Sequence, residues 1–261
     1  MASLRYNLDL LYELTKKELR VRYQSSMLGY FWSLLNPLAM ALVFFLAFKI
    51  VLKVNLTDSR WPFALFLIAG LFPWQWFSNS IHSSTNVYVQ NASLIRKVAF
   101  RRELLPLATV LNDLFHFLVS IPVILGLLLS CGGVPSWNLL YGLPALILAQ
   151  LLLTYGLALV VSSVNLFFRD LGNLISVLLQ MLFYLTPILY DLDKVSRERP
   201  AIVPYLKCNP VAPLMDAYRQ LLLDGLFRAD LFVLAILYGA AALAIGWLIH
   251  ARLRWKFAEI V

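Results

Sequence analysis

The chain has 261 residues, of which 61% are hydrophobic and only 14% are charged, and its formal net charge is +8. Soluble domains carry about 25% charged residues, whereas here apolar runs recur along the whole length. The composition therefore excludes a soluble protein with a single core and predicts a polytopic membrane protein.

The N-terminal segment, residues 1–32, is predicted to contain a cytoplasmic interface helix. Over residues 4–24 the apolar side chains fall on one helical face and the basic ones elsewhere, a pattern typical of a helix that lies on a membrane surface. The apolar face consists of Leu4, Leu8, Leu11, Tyr12 and Leu19, and the basic residues are Lys16, Lys17, Arg20 and Arg22.

Residues 33–261 are predicted to form a six-span transmembrane domain of the all-α class, because six apolar stretches are long enough to cross a bilayer. They cover residues 33–52, 61–77, 104–129, 139–161, 171–190 and 231–249. The second stretch continues beyond residue 77 as a polar segment, and the third contains Asp113 and His116.

The distribution of lysine and arginine predicts that both termini are cytoplasmic. In this orientation the inside segments hold thirteen basic residues and the outside segments hold eight. Basic loops stay on the cytoplasmic side, where they face anionic lipid, so the positive net charge does not indicate nucleic acid as a partner.

The long outer loop, residues 191–230, is predicted to contain a helix of its own. Asn209 suits an N-cap, Pro210 suits a first helical residue, and Asp224-Gly225 suits a stop. One apolar stripe follows from the spacing of Leu214, Met215, Tyr218, Leu221 and Leu222. We therefore expect this helix to dip into the outer membrane interface or to lie on it.

Sequence motifs for nucleotide, zinc and nucleophile chemistry are absent. No glycine opens a G-x-x-x-x-G-K-[ST] loop, and neither H-E-x-x-H nor a zinc-type Cys/His spacing occurs. Asp113, with Asn112 and His116 on the same helix, leaves a proton relay open beside the alternative of pairing with a basic loop residue. The chain is therefore interpreted as a membrane channel without its own motor or cofactor, and not as an enzyme.

The stretch RYQSSMLGYFWSLLNPL, residues 22–38, resembles a motif of type-2 ABC exporter permeases that move O-antigen, capsule or teichoic-acid polysaccharides. The matching positions are Arg22, Tyr23, Ser25 or Ser26, Leu28, Gly29, Trp32, Leu35 and Pro37. FYLTPILY, residues 183–190, is similar to the fifth span of that family, and NPVAPLMDAYRQLLLDG, residues 209–225, to its outer re-entrant helices. The O-antigen branch is the most similar.

The resemblance implies a permease subunit in a bacterial inner membrane that forms a pore with a second copy of itself. A separate pair of ABC ATPase subunits would bind ATP and Mg²⁺ and drive export of a lipid-linked polysaccharide. The interface helix would lie where ATPase movements are felt, with a turn at Gly29 and an anchor at Trp32. The implied interface residues are Lys17, Arg20, Arg22, Tyr23, Gly29 and Trp32.

Two cytoplasmic loops are the candidates for coupling to the ATPase. Residues 91–104 form the first loop, and residues 165–172 form the second. The first offers the apolar residues Ile95, Val98 and Phe100 with the basic residues Arg96, Lys97, Arg101 and Arg102, and the second offers Phe168, Arg169 and Asp170. For both loops, ordinary binding of lipid headgroups is the alternative.

Aromatic side chains on the first and fifth spans, which line the pore in the family, are the candidate contacts for the sugar polymer. An aromatic face stacks on a pyranose ring without fixing one register. The candidates are Tyr30, Phe31, Phe183, Tyr184 and Tyr190. For each, packing against lipid or protein is the alternative.

Two other functions stay open at this point. A type-2 ABC exporter of a drug or lipid would share the topology without aromatics along its pore. A membrane-embedded glycosyl- or acyltransferase would need a carboxylate or histidine cluster at a membrane face, which only Asp191, Asp193 and Glu198 offer. The lysine and arginines among these residues favour a self-neutralising loop instead.

Overall fold

The computed structural model describes residues 2–23, 29–53, 57, 59–98 and 100–257, and its secondary structure there is helical. The helices are α1 (Ala2–Tyr23), α2 (Trp32–Phe45, extended by a π-helix over Leu46–Val51), α3 (Phe63–Thr85), α4 (Val87–Gln90), α5 (Ala92–Lys97), α6 (Leu104–Ser130), α7 (Leu139–Asn165), α8 (Leu171–Leu185), α9 (Leu192–Glu198), α10 (Val203–Lys207), α11 (Ala212–Arg219, extended by a π-helix over Gln220–Asp224) and α12 (Ala229–Leu253). The predicted all-α class is confirmed.

Among the described residues, four helices are long and apolar enough to cross a membrane: α2 with its extension, α6, α7 and α12. They coincide with the first, third, fourth and sixth predicted spans. Helix α8 is apolar but shorter, and α3, which forms the centre of the bundle, is largely buried by α2, α6, α7, α8 and α11.

Helix α8 ends earlier than the predicted fifth span, residues 171–190. Its last residue is Leu185, because Pro187 disfavours a helical conformation at Thr186, whose backbone is extended with ψ 139°. With 15 residues the helix is about 22 Å long, which is less than the roughly 30 Å hydrocarbon core. The chain then turns inward, and the four residues 186–189 are buried.

Helices α7 and α12 touch backbone to backbone. A Cβ on Gly156 would overlap the backbone at Ala242, and a Cβ on Gly246 would overlap the Gly156 carbonyl oxygen. Small residues allow two helix backbones to approach this closely. The close packing increases the van der Waals attraction between helices in a membrane. The glycines of α12 therefore determine where this helix packs.

Helix α11 lies inside the bundle, where all its residues from Ala212 to Arg219 are buried. The ring of Tyr218 packs edge-on against Phe117, the midpoint of α6, at 5.4 Å between centroids. Burial of every residue excludes the expectation that this helix lies on a surface. Asn209 does cap the turn before it by accepting a hydrogen bond from the Val211 N–H at 2.9 Å, but the helix begins at residue 212 and not at the predicted residue 210.

Arg219 connects α11 to the break after α8. Its Nη2 donates to the carbonyl oxygens of Pro187 and Ile188 at 2.7 and 3.0 Å, and its guanidinium lies 3.7 Å from the centroid of the Phe66 ring. The broken helix frees these two carbonyls, which need donors in an apolar interior. Arg219 was counted among the outer loop charges, yet only 5% of it is exposed.

Candidate functional site

The predicted interface helix α1 is bound to the inner part of the bundle. Leu14 is buried, the Lys17 Nζ donates to the Asn91 Oδ1 at 2.9 Å, and the Thr109 hydroxyl donates to the Glu18 Oε1 at 3.0 Å. These three contacts attach α1 to α6 and to the segment before α5.

On α1, part of the face that the sequence predicts for membrane contact is exposed. Leu8 and Tyr12 are 58% and 64% exposed, whereas Leu11 packs inward. Arg20 is exposed. The side chains of Arg22 and Tyr23, and the motif residues 24–28, lie outside the described residues.

Gly29 adopts the left-handed conformation, with φ +48°, at the start of the turn into α2. Nothing lies within 4 Å of where its Cβ would be, so the glycine is needed for its backbone conformation and not for space. Trp32, the first residue of α2, is 43% exposed.

The first coupling loop is partly helical and divides into an inner and an outer face. Ile95 is only 7% exposed, because it packs against Leu14, Tyr88 and Leu105 of the same chain. This burial leaves Ile95 little surface for the ATPase contact that the sequence predicts. Arg96, Lys97 and Val98 are exposed on α5 or just after it, and Phe100 is half-buried.

Arg101 and Arg102 belong to a different surface from the α5 residues. The Arg102 Nη1 donates to the Arg254 carbonyl oxygen at 2.7 Å, and the guanidinium lies 6.0 Å from the centroid of the Phe257 ring. Both arginines line a cavity with the C-terminal end of α12. Glu103 is the next residue in the chain. The pKa of its carboxyl is lowered, mainly by contact with His250.

The second coupling loop presents Phe168, Arg169 and Asp170 as exposed residues, with Phe168 69% exposed. Asn165, which the sequence did not single out, fixes the position of this loop through two hydrogen bonds of its side chain. Its Nδ2 donates to the Thr85 carbonyl oxygen at 2.8 Å, and its Oδ1 accepts from the Gly172 N–H at 3.1 Å. The loop is thereby connected to the C-terminal end of α3.

The five aromatic candidates for the polymer pathway differ in accessibility. Phe183 is buried, with its ring 5.7 Å from both the Phe44 and the Trp74 rings, so in this chain its side chain packs in the core. Phe31 and Tyr184 are 63% and 57% exposed. Tyr190 is half-buried and donates to the Leu185 carbonyl oxygen at 3.1 Å, and the side chain of Tyr30 lies outside the described residues.

A polar cavity of about 290 Å³ lies between α2, α3 and α6. Its lining includes Trp32, Asn36, Gln75, Asn79 and Asp113. Asp113 is buried and accepts a hydrogen bond from the Ser80 hydroxyl at 3.0 Å. Asp113 stands out in the sequence, but its position beside the amides of α2 and α3 does not, because the three helices meet only in the folded chain.

A transferase would need the carboxylates of residues 191–230. Here they make local contacts within that loop instead. Asp191 caps α9 by accepting a hydrogen bond from the Asp193 N–H at 3.0 Å, and the Glu198 Oε1 lies 3.9 Å from the Lys194 Nζ. Within the part of the chain that the structure describes, no group of three or more His, Cys, Asp or Glu side chains is arranged to hold a metal ion.

Comparison with known proteins identifies the family. Residues 9–223 match the ABC-2 type transporter family. The O-antigen export system permease protein RfbA of Klebsiella pneumoniae is 38% identical over 259 residues, which cover 99% of this chain and 97% of that protein. The protein of the same name from Myxococcus xanthus is 34% identical over 81% of this chain and 79% of its own length, and the polysialic acid transport protein KpsM of Escherichia coli is 24% identical over 80% and 79%. This chain therefore belongs to the membrane subunits of the ABC-2 type transporters.

Proposed function

We propose that this chain is the permease subunit of an ATP-driven exporter that moves a lipid-linked, O-antigen-like polysaccharide across a bacterial inner membrane. The observation that carries the proposal is the similarity to an O-antigen export permease over 99% of this chain and 97% of the relative. ATP, with its Mg²⁺, would be bound and hydrolysed by a separate ABC ATPase subunit.

Six spans with both termini cytoplasmic are the topology that we propose. Helix α3, with 23 residues, is about 34 Å long, and because other helices enclose it, it needs no apolar outer surface. Helix α8 would be the fifth span. Because it is shorter than the hydrocarbon core, either the membrane would be thinner around it or the inward turn that follows it would complete the crossing. The contact of Tyr218 with the midpoint of α6 supports re-entrant outer helices, since α6 is itself long enough to cross the membrane.

A second copy of the chain would complete the pore along α2 and α8. Only 11% of the most apolar part of α2 is buried. Helix α8 exposes large apolar side chains that its helical spacing places on one face, among them Leu174, Val177, Leu178, Met181 and Tyr184. Between two such surfaces Tyr184 and Phe31 would contact the sugar polymer, and the amides of the polar cavity would bind sugar hydroxyl groups.

Coupling to the ATPase would use exposed residues of both cytoplasmic loops, among them Arg96, Lys97, Val98, Phe168, Arg169 and Asp170. A push on α5 would reach α6 through the buried Ile95 and α1, and a push on the second loop would reach α3 through Asn165. The two paths end on neighbouring helices of the polar cavity. ATPase movement would thus change the shape of the pathway itself.

The coupling proposal is tested by the triple variant Arg96→Gln, Lys97→Gln, Phe168→Ala, copurified with the ATPase. An exposed ion pair contributes about 0.2–1 kcal/mol, so loss of both charges and the ring is expected to weaken association by about tenfold or more. The effect of the charges should shrink in high salt. The control, Arg197→Gln with Arg199→Gln, removes two exposed charges from the outer loop and should assemble normally.

The transport proposal is tested in proteoliposomes that contain the chain, its ATPase and a lipid-linked glycan. We expect ATP-dependent appearance of the glycan on the far side of the membrane, and no hydrolysis by the chain without the ATPase. Transport of a drug or a phospholipid without transport of the glycan would favour the other exporter class.

Normal assembly and export by the triple variant would reject the two loops as the coupling elements.

A further inference from the structure

A second cavity, of about 380 Å³, lies where the segment before α6 meets the end of α12. Its lining includes Arg101, Arg102, Arg254, Trp247 and Trp255. We propose that this cavity binds the phosphate headgroup of an anionic membrane phospholipid. The proposal does not depend on which cargo the transporter exports.

The arginines give the cavity its preference for phosphate. A guanidinium binds phosphate oxygens through two parallel N–H donors, more specifically than an ammonium does. Arg102 is already held in place by the Arg254 carbonyl oxygen and by the Phe257 ring, so part of the site is preformed. The volume falls within the roughly 300–1,000 Å³ of small-ligand sites.

The carboxylate in the cavity wall does not oppose an anion. The Glu103 Oε2 lies 3.7 Å from the His250 Nε2, and only 14% of the Glu103 side chain is exposed. His250 is itself buried beside Tyr88 and Ser163, whose hydroxyl oxygens are each 3.2 Å from its Nδ1. The acidic group therefore points into the protein, whereas Arg101 and Arg254 are exposed.

Two features favour a lipid over a free phosphate. Trp247 and Trp255 are 47% and 64% exposed at the edge of the cavity, and tryptophan prefers the headgroup region of a membrane. From there an exposed apolar stripe continues along α12 through Leu248, Ile245 and Leu237, which a helical spacing places on one face. A headgroup in the cavity would leave its acyl chains along this stripe.

Occupancy would connect the start of α6 to the end of α12. Arg101 lies three residues before α6, and Arg254 directly follows α12. A phosphate that bridges them would hold these helix ends together beside the first coupling loop, as basic pockets between transmembrane helices do with anionic lipids. Lipid composition would thereby influence the stiffness of the segment through which the ATPase acts.

Fluorescence quenching by brominated lipids tests the proposal on the full chain reconstituted in phosphatidylcholine bilayers. Brominated phosphatidylglycerol is expected to quench the protein more strongly than brominated phosphatidylcholine at equal mole fraction. Each basic residue contributes about 1 kcal/mol of attraction, or about fivefold. Arg101→Gln with Arg254→Gln should therefore lower the preference for phosphatidylglycerol by about 5- to 25-fold, and Arg96→Gln with Lys97→Gln, which removes equal charge outside the cavity, should retain it.

Two further measurements locate the bound lipid. Trp247→Phe with Trp255→Phe keeps the arginines but removes the reporters, so the additional quenching by phosphatidylglycerol should disappear. Inorganic phosphate at millimolar concentration should leave the quenching unchanged. A preference that survives either the Arg101/Arg254 or the Trp247/Trp255 double variant overturns the proposal, and displacement of the lipid by inorganic phosphate would mean that the cavity is a free-anion site. ATPase association of the Arg96/Lys97 variant reports separately on the coupling proposal.

Discussion

The backbone contact between α7 and α12 predicts that Gly246→Ala destabilises the protein. The added methyl group would overlap the Gly156 carbonyl oxygen, which is part of a helix backbone and cannot rotate away, so the two helices must separate. An extra methyl group in a packed interior costs about 1–3 kcal/mol, and the higher helix propensity of alanine offsets at most about 1 kcal/mol. We expect a net loss of about 1–2 kcal/mol.

Two other glycines provide graded controls for this prediction. A Cβ on Gly239 would lie 3.0 Å from the Ala149 carbonyl oxygen, so Gly239→Ala requires only a small shift and should be nearly neutral. At Gly126 in α6 nothing lies within 4 Å, and Gly126→Ala should therefore retain the gain of helix propensity without a clash.

Thermal unfolding in detergent micelles, followed by tryptophan fluorescence, measures the series. In chains of 150–250 residues a change of 1 kcal/mol shifts the melting temperature by about 2–4 °C. Gly246→Ala is therefore expected to melt about 2–8 °C below the unmodified protein, and Gly126→Ala at the same temperature or above. Equal melting temperatures for these two variants would refute the claim that α7 and α12 are in backbone contact.

Three further outcomes are expected. Arg219→Lys keeps the charge but loses the planar pair of donors, so the folding free energy should fall by about 1.5–3 kcal/mol, visible as reduced melting temperature and membrane abundance; an unchanged melting temperature would contradict this. Phe183→Leu should lower abundance and export together because the ring is buried, whereas Tyr184→Leu should lower only export of long polymer, as measured by membrane immunoblot and surface glycan, and the reverse pattern would reject these assignments. Cys131 and Cys208 are exposed thiols and should react with a membrane-impermeant maleimide on intact spheroplasts. Labelling only after lysis would mean that the proposed orientation is reversed.

The long helices were predictable because their signal is local. Apolar length placed the third, fourth and sixth spans within a few residues of α6, α7 and α12. The early end of α8 was also predictable in principle, since the residue before Pro187 disfavours a helix. The apolar run through residue 190 concealed it, because apolar composition alone does not distinguish a helix from a buried turn.

The direction of individual side chains was not predictable from the sequence. Ile95 and Phe183 look like surface contacts in their segments, and both are buried by residues distant in the chain. Arg219 looks like a solvated loop charge, and its Nη2 donates to two carbonyls more than thirty residues earlier. In each case the burial depends on which helices become neighbours, which a periodic pattern does not contain.

The enclosure of α3 has a consequence for how the chain is assembled in the membrane. Its C-terminal half carries Gln75, Asn79 and Ser80, which lipid tails would leave without hydrogen-bond partners. Except for α2, the helices that cover it are made later, and α11 leaves the ribosome about 130 residues after α3. During synthesis α3 therefore lacks the contacts with α11 until that helix and Arg219 have been made. A ribosome that stops before residue 219 would leave a chain with an open centre, ready for recognition by membrane quality-control proteases.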